Sequence, residues 1–366
     1  LFELQPKEEL KSKKAKERNN MLQSIKKSFK ASQNPGEILL IPSIVVFSII
    51  SFIVFRSKPA VTLSGDVSIG LMMLISAAAI CLFTFTPFYL MGLKERGIKL
   101  KIGVLVYNCI VLTVAVAITV AMVSFLIISV LNNSFKNLSL DAFVSSAFVG
   151  IYSGVLIYLL IPLAKGMNTA IVARLFSIVM VSGIILSMLT NSNPNWWQVN
   201  FSYLGWGNGI SSISFNLTIL MAGLLVIALS SQFTNDLKRS KHIFNKKDVN
   251  LNILSLLFII LGIDMASLGL FPYDRAPLVH DILGYSMLII FGVIVLSLRF
   301  IFPKIDKTFL TNSYLTLALI AFCYVLFAFV GYFSLTAFEL IGFIITFGWL
   351  LMFVRKISMM SKVDQY

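Results

Sequence analysis

Ten long apolar runs, separated by short polar stretches, follow one another along the chain: Ile38 to Phe55, Ile69 to Met91, Ile102 to Leu131, Phe143 to Ala164, Ala170 to Leu189, Phe215 to Ser230, Ile253 to Leu270, Ile282 to Phe300, Tyr314 to Phe333 and Leu340 to Val354. A helix needs roughly 20 apolar residues to cross about 30 Å of hydrocarbon, and these runs are close to that length. Backbone N–H and C=O groups in hydrocarbon have no water to bond, so they must be paired within the protein, which only helices and closed barrels achieve. Nothing here resembles short strands of alternating polarity, so the pattern predicts helices. The expected fold class is all-α: a polytopic integral membrane protein with about ten transmembrane helices and with both the N and C termini in the cytoplasm.

The polar stretches carry the orientation. With the N terminus inside, 26 of the 30 lysines and arginines fall on the cytoplasmic side, and only Arg56, Lys58, Lys136 and Arg275 fall outside. Removing any span from the middle would scramble this alternation, so charge checks the number of runs independently of hydropathy. The net charge of +14 belongs to that pattern. Its basic residues are scattered between apolar runs and not gathered on one folded face, so no nucleic-acid partner is expected. With 58% hydrophobic and 13% charged residues, a soluble domain of this length would be left with far too much apolar surface, and lipid is the expected solvent.

Four segments are expected. Residues 1–36 form a basic cytoplasmic tail, 37–165 a four-helix membrane unit, 166–356 a six-helix membrane unit and 357–366 a second cytoplasmic tail. Within the first tail, Met21, Leu22, Ile25 and Phe29 fall at helical spacing with Lys26, Lys27 and Lys30 on the other side, the pattern of an interfacial amphipathic helix. A solvated basic arm that only enforces orientation is the competing reading. Asn34, Pro35 and Gly36 are then expected to break the helix and let the chain turn into the first span. No cleavable signal peptide is expected, because the first apolar run carries no small-residue cleavage site.

Ionisable groups inside a span cost about 2.5 to 3.5 kcal/mol on insertion scales, so Asp264, in the outer half of the seventh run, is the first candidate for function. It is expected to face the bundle. Either it is structural, bonded to neighbouring backbone or to Ser267, or it has a gating or proton-linked role. Asp274, Arg275, His280 and Asp281 follow in the next external connection and cluster at the mouth of the seventh and eighth spans. The charge-free external loop from Asn191 to Ser214 carries Trp196, Trp197 and Trp206, which read equally as an interfacial aromatic belt or as a re-entrant gate. Glu339, at the external start of the last run, reads as a helix N-terminal residue favoured by the dipole. The chain has no GxxxxGK[ST] phosphate loop, no GxSxG elbow, no HExxH helix and no CxxC pair. Cys81, Cys109 and Cys323 each lie inside an apolar run. No enzymatic activity, cofactor or metal is expected.

Two stretches resemble known families. Phe201-Ser-Tyr-Leu-Gly, Phe215-Asn216, Gly269-Leu-Phe-Pro and Val279-His280-Asp281 give residues from about Ala170 to Val354 the look of the prokaryotic membrane family called domain of unknown function 998. That six-span unit is distantly similar to the Frag1/DRAM/Sfk1 proteins, and it implies no particular activity. The first half is similar to the membrane subunits of type-2 ABC exporters. The likeness lies in a basic interfacial helix, two spans, and the loop Leu93-Lys94-Glu95-Arg96-Gly97-Ile-Lys-Leu-Lys before a long third span. This resemblance implies that Lys94, Glu95, Arg96 and Gly97 dock a separate ATPase, and that Asn191 to Ser214 stands where such permeases have an external re-entrant segment. The four spans after Asn250 depart from the usual six-span permease, and a charged loop that only orients the chain is the plainer reading of Lys94 to Lys101.

The function expected is therefore a permease-like subunit of a bacterial ABC-type export system in the cytoplasmic membrane. The alternative is a non-transporting regulatory or immunity protein that senses or sequesters a hydrophobic or peptide ligand. A lipid-modifying enzyme using Asp264, Asp274 and His280 stands last. The partners expected are the lipid bilayer, a separate ATP-binding subunit, and a second subunit in a homo- or hetero-dimer.

Overall fold

A computed structural model describes residues 35–239, 249–302 and 305–362. Among the described residues ten helices occupy the ten apolar runs, and each is long and apolar enough to cross a membrane. They are α1 (Pro35–Phe55), α2 (Ile69–Glu95), α3 (Ile102–Ser134), α4 (Ala142–Lys165), α5 (Thr169–Thr190), α6 (Ile210–Arg239), α7 (Val249–Leu270), α8 (Pro277–Ile301), α9 (Lys307–Ala328) and α10 (Leu335–Lys362). The chain is a multi-pass, all-α membrane protein. Two-residue strands β1 (Val61–Thr62) and β2 (Ser139–Leu140) pair antiparallel between the α1–α2 and α3–α4 connections. The interfacial helix expected at Met21 to Phe29 lies outside the described residues.

Helix starts follow from capping chemistry. Ser68 accepts from Leu71 N, Asp141 from Phe143 N and Val144 N, Asn168 from Ile171 N, and Asp306 from Thr308 N, each satisfying amides that a first turn leaves unpaired. Pro35 and Gly36, expected to break the helix, are instead the first residues of α1. Proline suits a first turn, where its missing N–H is not needed.

The apolar run expected at Tyr314 to Phe333 is the clearest displacement, because α9 begins seven residues earlier and ends at Ala328. Hydropathy does not see the Asp306 cap. At the other end Gly331 takes φ 70° and the Tyr332 N–H turns back to the Leu326 carbonyl at 2.9 Å. Similarly, α10 runs on to Lys362, so the C-terminal tail expected from residue 357 begins as helix.

Packing is uneven. Helix α1 sits against α4 at the edge of the bundle, with the α4 residues Gly150 and Gly154 close to the Ile44 and Leu40 carbonyls of α1. Small residues let two backbones approach, and in lipid such close packing drives helix association where the hydrophobic effect does not. Helices α6 and α7 are equally close: a methyl group on Gly223 would fall against Ala266 N and the Gly262 carbonyl. One continuous apolar cluster runs from Phe85 and Leu112 through Phe176 and Leu225 to Phe258 and Phe353. It crosses the boundary expected at residue 165, where α4 turns into α5. A smaller cluster of Phe55, Val61, Ile69 and Val149 lies under the paired strands. Trp349 pins α9 and α10 to the rest, its ring edge-on to Phe291 at 5.0 Å and its Nε1 donating to Ser313 Oγ at 2.9 Å.

Candidate functional site

Most of the candidate residues lie at the two ends of the bundle. At the tryptophan end, the connection from α5 to α6 is a folded lid. Asn191 Oδ1 accepts from Asn193 N and Asn193 Oδ1 from Asn195 N, both at 2.9 Å, so two successive asparagine turns shape its start. Two 3-10 turns follow, Trp196–Gln198 and Phe201–Gly205. Polar residues on the first turns of α6 hold the carbonyls of the second turn. Ser211 Oγ donates to Leu204 O at 3.1 Å and Asn216 Nδ2 to Gly205 O at 2.9 Å, while Ser212 Oγ lies 2.7 Å from Gly205 O. Side chains thus bond carbonyls that no helix bonds, as a non-helical segment at a membrane boundary requires.

The connection from α7 to α8 grips this lid from the side. Asp274 Oδ2 accepts from Gly207 N at 3.0 Å, and the Arg275 guanidinium donates to Asn208 Oδ1. Tyr273 stacks on Trp206 at 5.7 Å with an interplanar angle of 3°, and His280 stands edge-on to Tyr273. His280 Nδ1 is 2.9 Å from the Phe271 carbonyl and Nε2 is 3.1 Å from Ser202 Oγ. A carbonyl only accepts, so in the neutral ring Nδ1 carries the proton and Nε2 accepts from Ser202. Nε2 thus ties the lid to α8, while Nδ1 ties α8 to the end of α7. A third attachment comes from α10, where Glu339 Oε2 accepts from Phe201 N at 2.7 Å.

The structure therefore gathers Asp274, Arg275, His280 and Trp206 around one lid and leaves other candidates apart. Asp264 is bonded by Ser286 of α8 at 2.6 Å, and not by neighbouring backbone or Ser267. Ser286 lies six residues beyond His280 on α8, about 9 Å along the helix axis at 1.5 Å per residue, so Asp264 sits below the lid cluster and outside it. Asp281 is exposed but within electrostatic reach of Glu339. The tryptophans divide: Trp196 packs on Phe201 and the core, Trp206 on Tyr203 and Tyr273, and Trp197 is 53% exposed.

At the opposite, basic end, the four residues of the α2–α3 turn also divide. Glu95 pairs with Lys165 at 2.9 Å. Arg96 donates from Nε to Gly92 O at 3.0 Å and from Nη1 to Met167 O at 2.7 Å. The Lys165 and Met167 contacts reach the α4–α5 turn, whereas Gly92 belongs to α2 itself. Lys94 and Gly97 point outward with Lys99 and Lys101, and Gly97 has φ 64° with nothing within 4 Å of where a Cβ would be. That left-handed conformation is strained for any residue with a Cβ.

Three consecutive polar residues of α6 each address a different helix. Ser230 Oγ bonds Ser255 of α7 at 2.8 Å, Ser231 bonds Asn108 of α3 at 3.3 Å, and Gln232 Nε2 donates to the Tyr89 hydroxyl of α2 at 3.4 Å. Successive residues of a helix point about 100° apart, so three neighbours face three directions. Sequence reading passed over these residues, and over Ser202 and Asn200. The signal available was a polar triplet ending an apolar run and polar residues spaced along an uncharged loop.

Two open grooves flank α9. One of about 330 Å³ is lined by Leu296, Tyr314 and Leu317, and one of about 380 Å³ runs along Asn312, Thr316, Ile344 and Gly348. Among the described residues no group of three or more His, Cys, Asp or Glu side chains is placed to hold a metal ion. Compared with family models, curated proteins and solved structures, the chain matches none.

Proposed function

We propose that this chain is the permease-like membrane subunit of a bacterial ABC-type export system, energised by a separate ATPase bound at its basic end in the cytoplasm. The observation that supports this reading is the anchoring of the α2–α3 turn. A loop that only orients a chain needs positive charge and no fixed shape. Here Glu95 and Arg96 tie the turn to the α4–α5 turn, while Gly97, Lys94, Lys99 and Lys101 remain outward as a shaped basic knob. A partner pressing on that knob acts directly on α2, α4 and α5, and α5 leads into the lid at the far end.

Gly97→Val and Lys94→Glu test the reading. Each is expected to abolish co-purification of a nucleotide-binding subunit from the native host: Lys94→Glu removes one side of a charged contact, at a cost of about 2 to 5 kcal/mol, and Gly97→Val is strained at φ 64° and distorts the knob. Membrane abundance should be unchanged, and a cysteine placed at Asn193 should still be labelled from outside intact cells. If the wild-type chain brings down no ATPase, the permease reading is wrong. The grooves beside α9 favour the second reading, a non-transporting protein that sequesters a hydrophobic ligand, and that reading would then stand.

A further inference from the structure

At the joint between the lid and α10, three side chains carry oxygens with one hydrogen-bond partner or none. Glu339 is a half-buried carboxylate whose hydrogen bond is the single Phe201 amide, and no Lys, Arg or His among the described residues forms an ion pair with it. Asn200 immediately precedes that amide. It is 7% exposed, and its Oδ1 is buried without a hydrogen-bond partner. Thr336 lies one turn before Glu339 on the same face of α10, is 4% exposed, and its Oγ1 is likewise buried and unpartnered. Asp281 adds a second negative charge within reach, while the Arg275 guanidinium, the nearest arginine along the chain, is directed to Asn208.

Buried polar atoms are rarely left unsatisfied, and a partly buried carboxylate without an ion-pair partner attracts positive charge. The start of α10 supplies only partial positive charge. One full carboxylate with an amide and a hydroxyl oxygen is a hard-oxygen set of low charge, too sparse in anions for a transition metal.

We propose that Glu339, Asn200 Oδ1 and Thr336 Oγ1 bind a monovalent alkali cation, of which sodium is the biological representative, and that this ion fastens the lid to α10. The site stands whether or not the basic end docks an ATPase.

The test uses the purified full-length chain in detergent, titrated with sodium chloride against choline chloride at constant ionic strength. Saturable binding of radioactive sodium and a sodium-dependent rise in the thermal midpoint are expected, with tryptophan fluorescence reporting the lid. Asn200→Ala and Thr336→Val should each weaken sodium binding about tenfold or more, and Glu339→Gln should abolish it. The two milder variants keep the carboxylate and its bond to Phe201, so they report even if Glu339→Gln misfolds. The proposal is overturned if wild type binds no sodium saturably, if choline stabilises equally, or if binding survives unchanged in Asn200→Ala and Thr336→Val. In those cases the orphaned oxygens are hydrated.

Discussion

The most apolar 18-residue stretches of α6 and α8 have the same mean hydropathy, yet 61% of the residues in that stretch are buried in α6 and 22% in α8. The difference lies in small and polar residues. Helix α6 carries Ser211, Ser212, Asn216, Thr218, Gly223, Ser230, Ser231 and Gln232, and these meet the lid or neighbouring helices. Helix α8 shows Leu278, Ile282, Ile289 and Phe300 outward. Apolar side chains gain little by leaving lipid for protein, so burial inside a membrane bundle is set by close backbone approach and interhelical hydrogen bonds. The molecule thus has a tight region centred on α5 and α6 and a loose one made of α8 to α10.

The sharpest way to break that comparison is to insert the same side chain into both regions. Gly223→Leu forces a branched chain against the α7 backbone and is expected to cost about 3 kcal/mol or more, read as loss of monodisperse protein and a lowered thermal midpoint in detergent. Gly292→Leu, whose nearest neighbour would be Leu317 Cδ1 at 3.7 Å, should stay within about 0.5 kcal/mol of wild type. Equal effects would mean that the two regions are packed alike.

A smaller effect sharpens the polar half of the contrast. Gln232→Ala, which removes one donor from the Tyr89 hydroxyl, should destabilise by about 0.6 kcal/mol and by no more than about 1.7, the mean and the largest values for interhelical hydrogen bonds in a membrane. Asn312→Ala, on an exposed face of α9, should leave the unfolding midpoint unmoved. Finally, Asp264 bridges the two regions through Ser286. Asp264→Asn keeps an oxygen acceptor for that hydroxyl, so abundance in the membrane should be retained and stability should change by less than about 0.5 kcal/mol. Loss of the protein from membranes would show instead that the carboxylate's charge is needed for assembly.

The candidate site was legible in parts. Asp274, Arg275 and His280 drew attention as ionisable groups near a membrane boundary, and they do meet the lid. Glu339 read as a helix-start carboxylate because sequence shows its place in α10 but not Phe201, which lies 138 positions away along the chain. Arg96 and Glu95 read as docking contacts through the exporter resemblance, which shows their place in the loop but not their partners. Their partners, Met167 and Lys165, come from a different turn of the chain.

What the sequence alone determined was the number and class of the spanning elements. Each run had to become a helix, because hydrocarbon offers a backbone no other hydrogen-bond partner, and that constraint acts on each segment separately. What only the tertiary structure decided was which helices touch, which face of each is buried, and which polar side chains find partners. Helices that are individually stable in lipid associate through close contacts between residues distant in sequence. The α1–α4 glycine contact, the three-way reach of Ser230, Ser231 and Gln232, and the lid held by His280 and Glu339 are therefore properties of the assembled bundle.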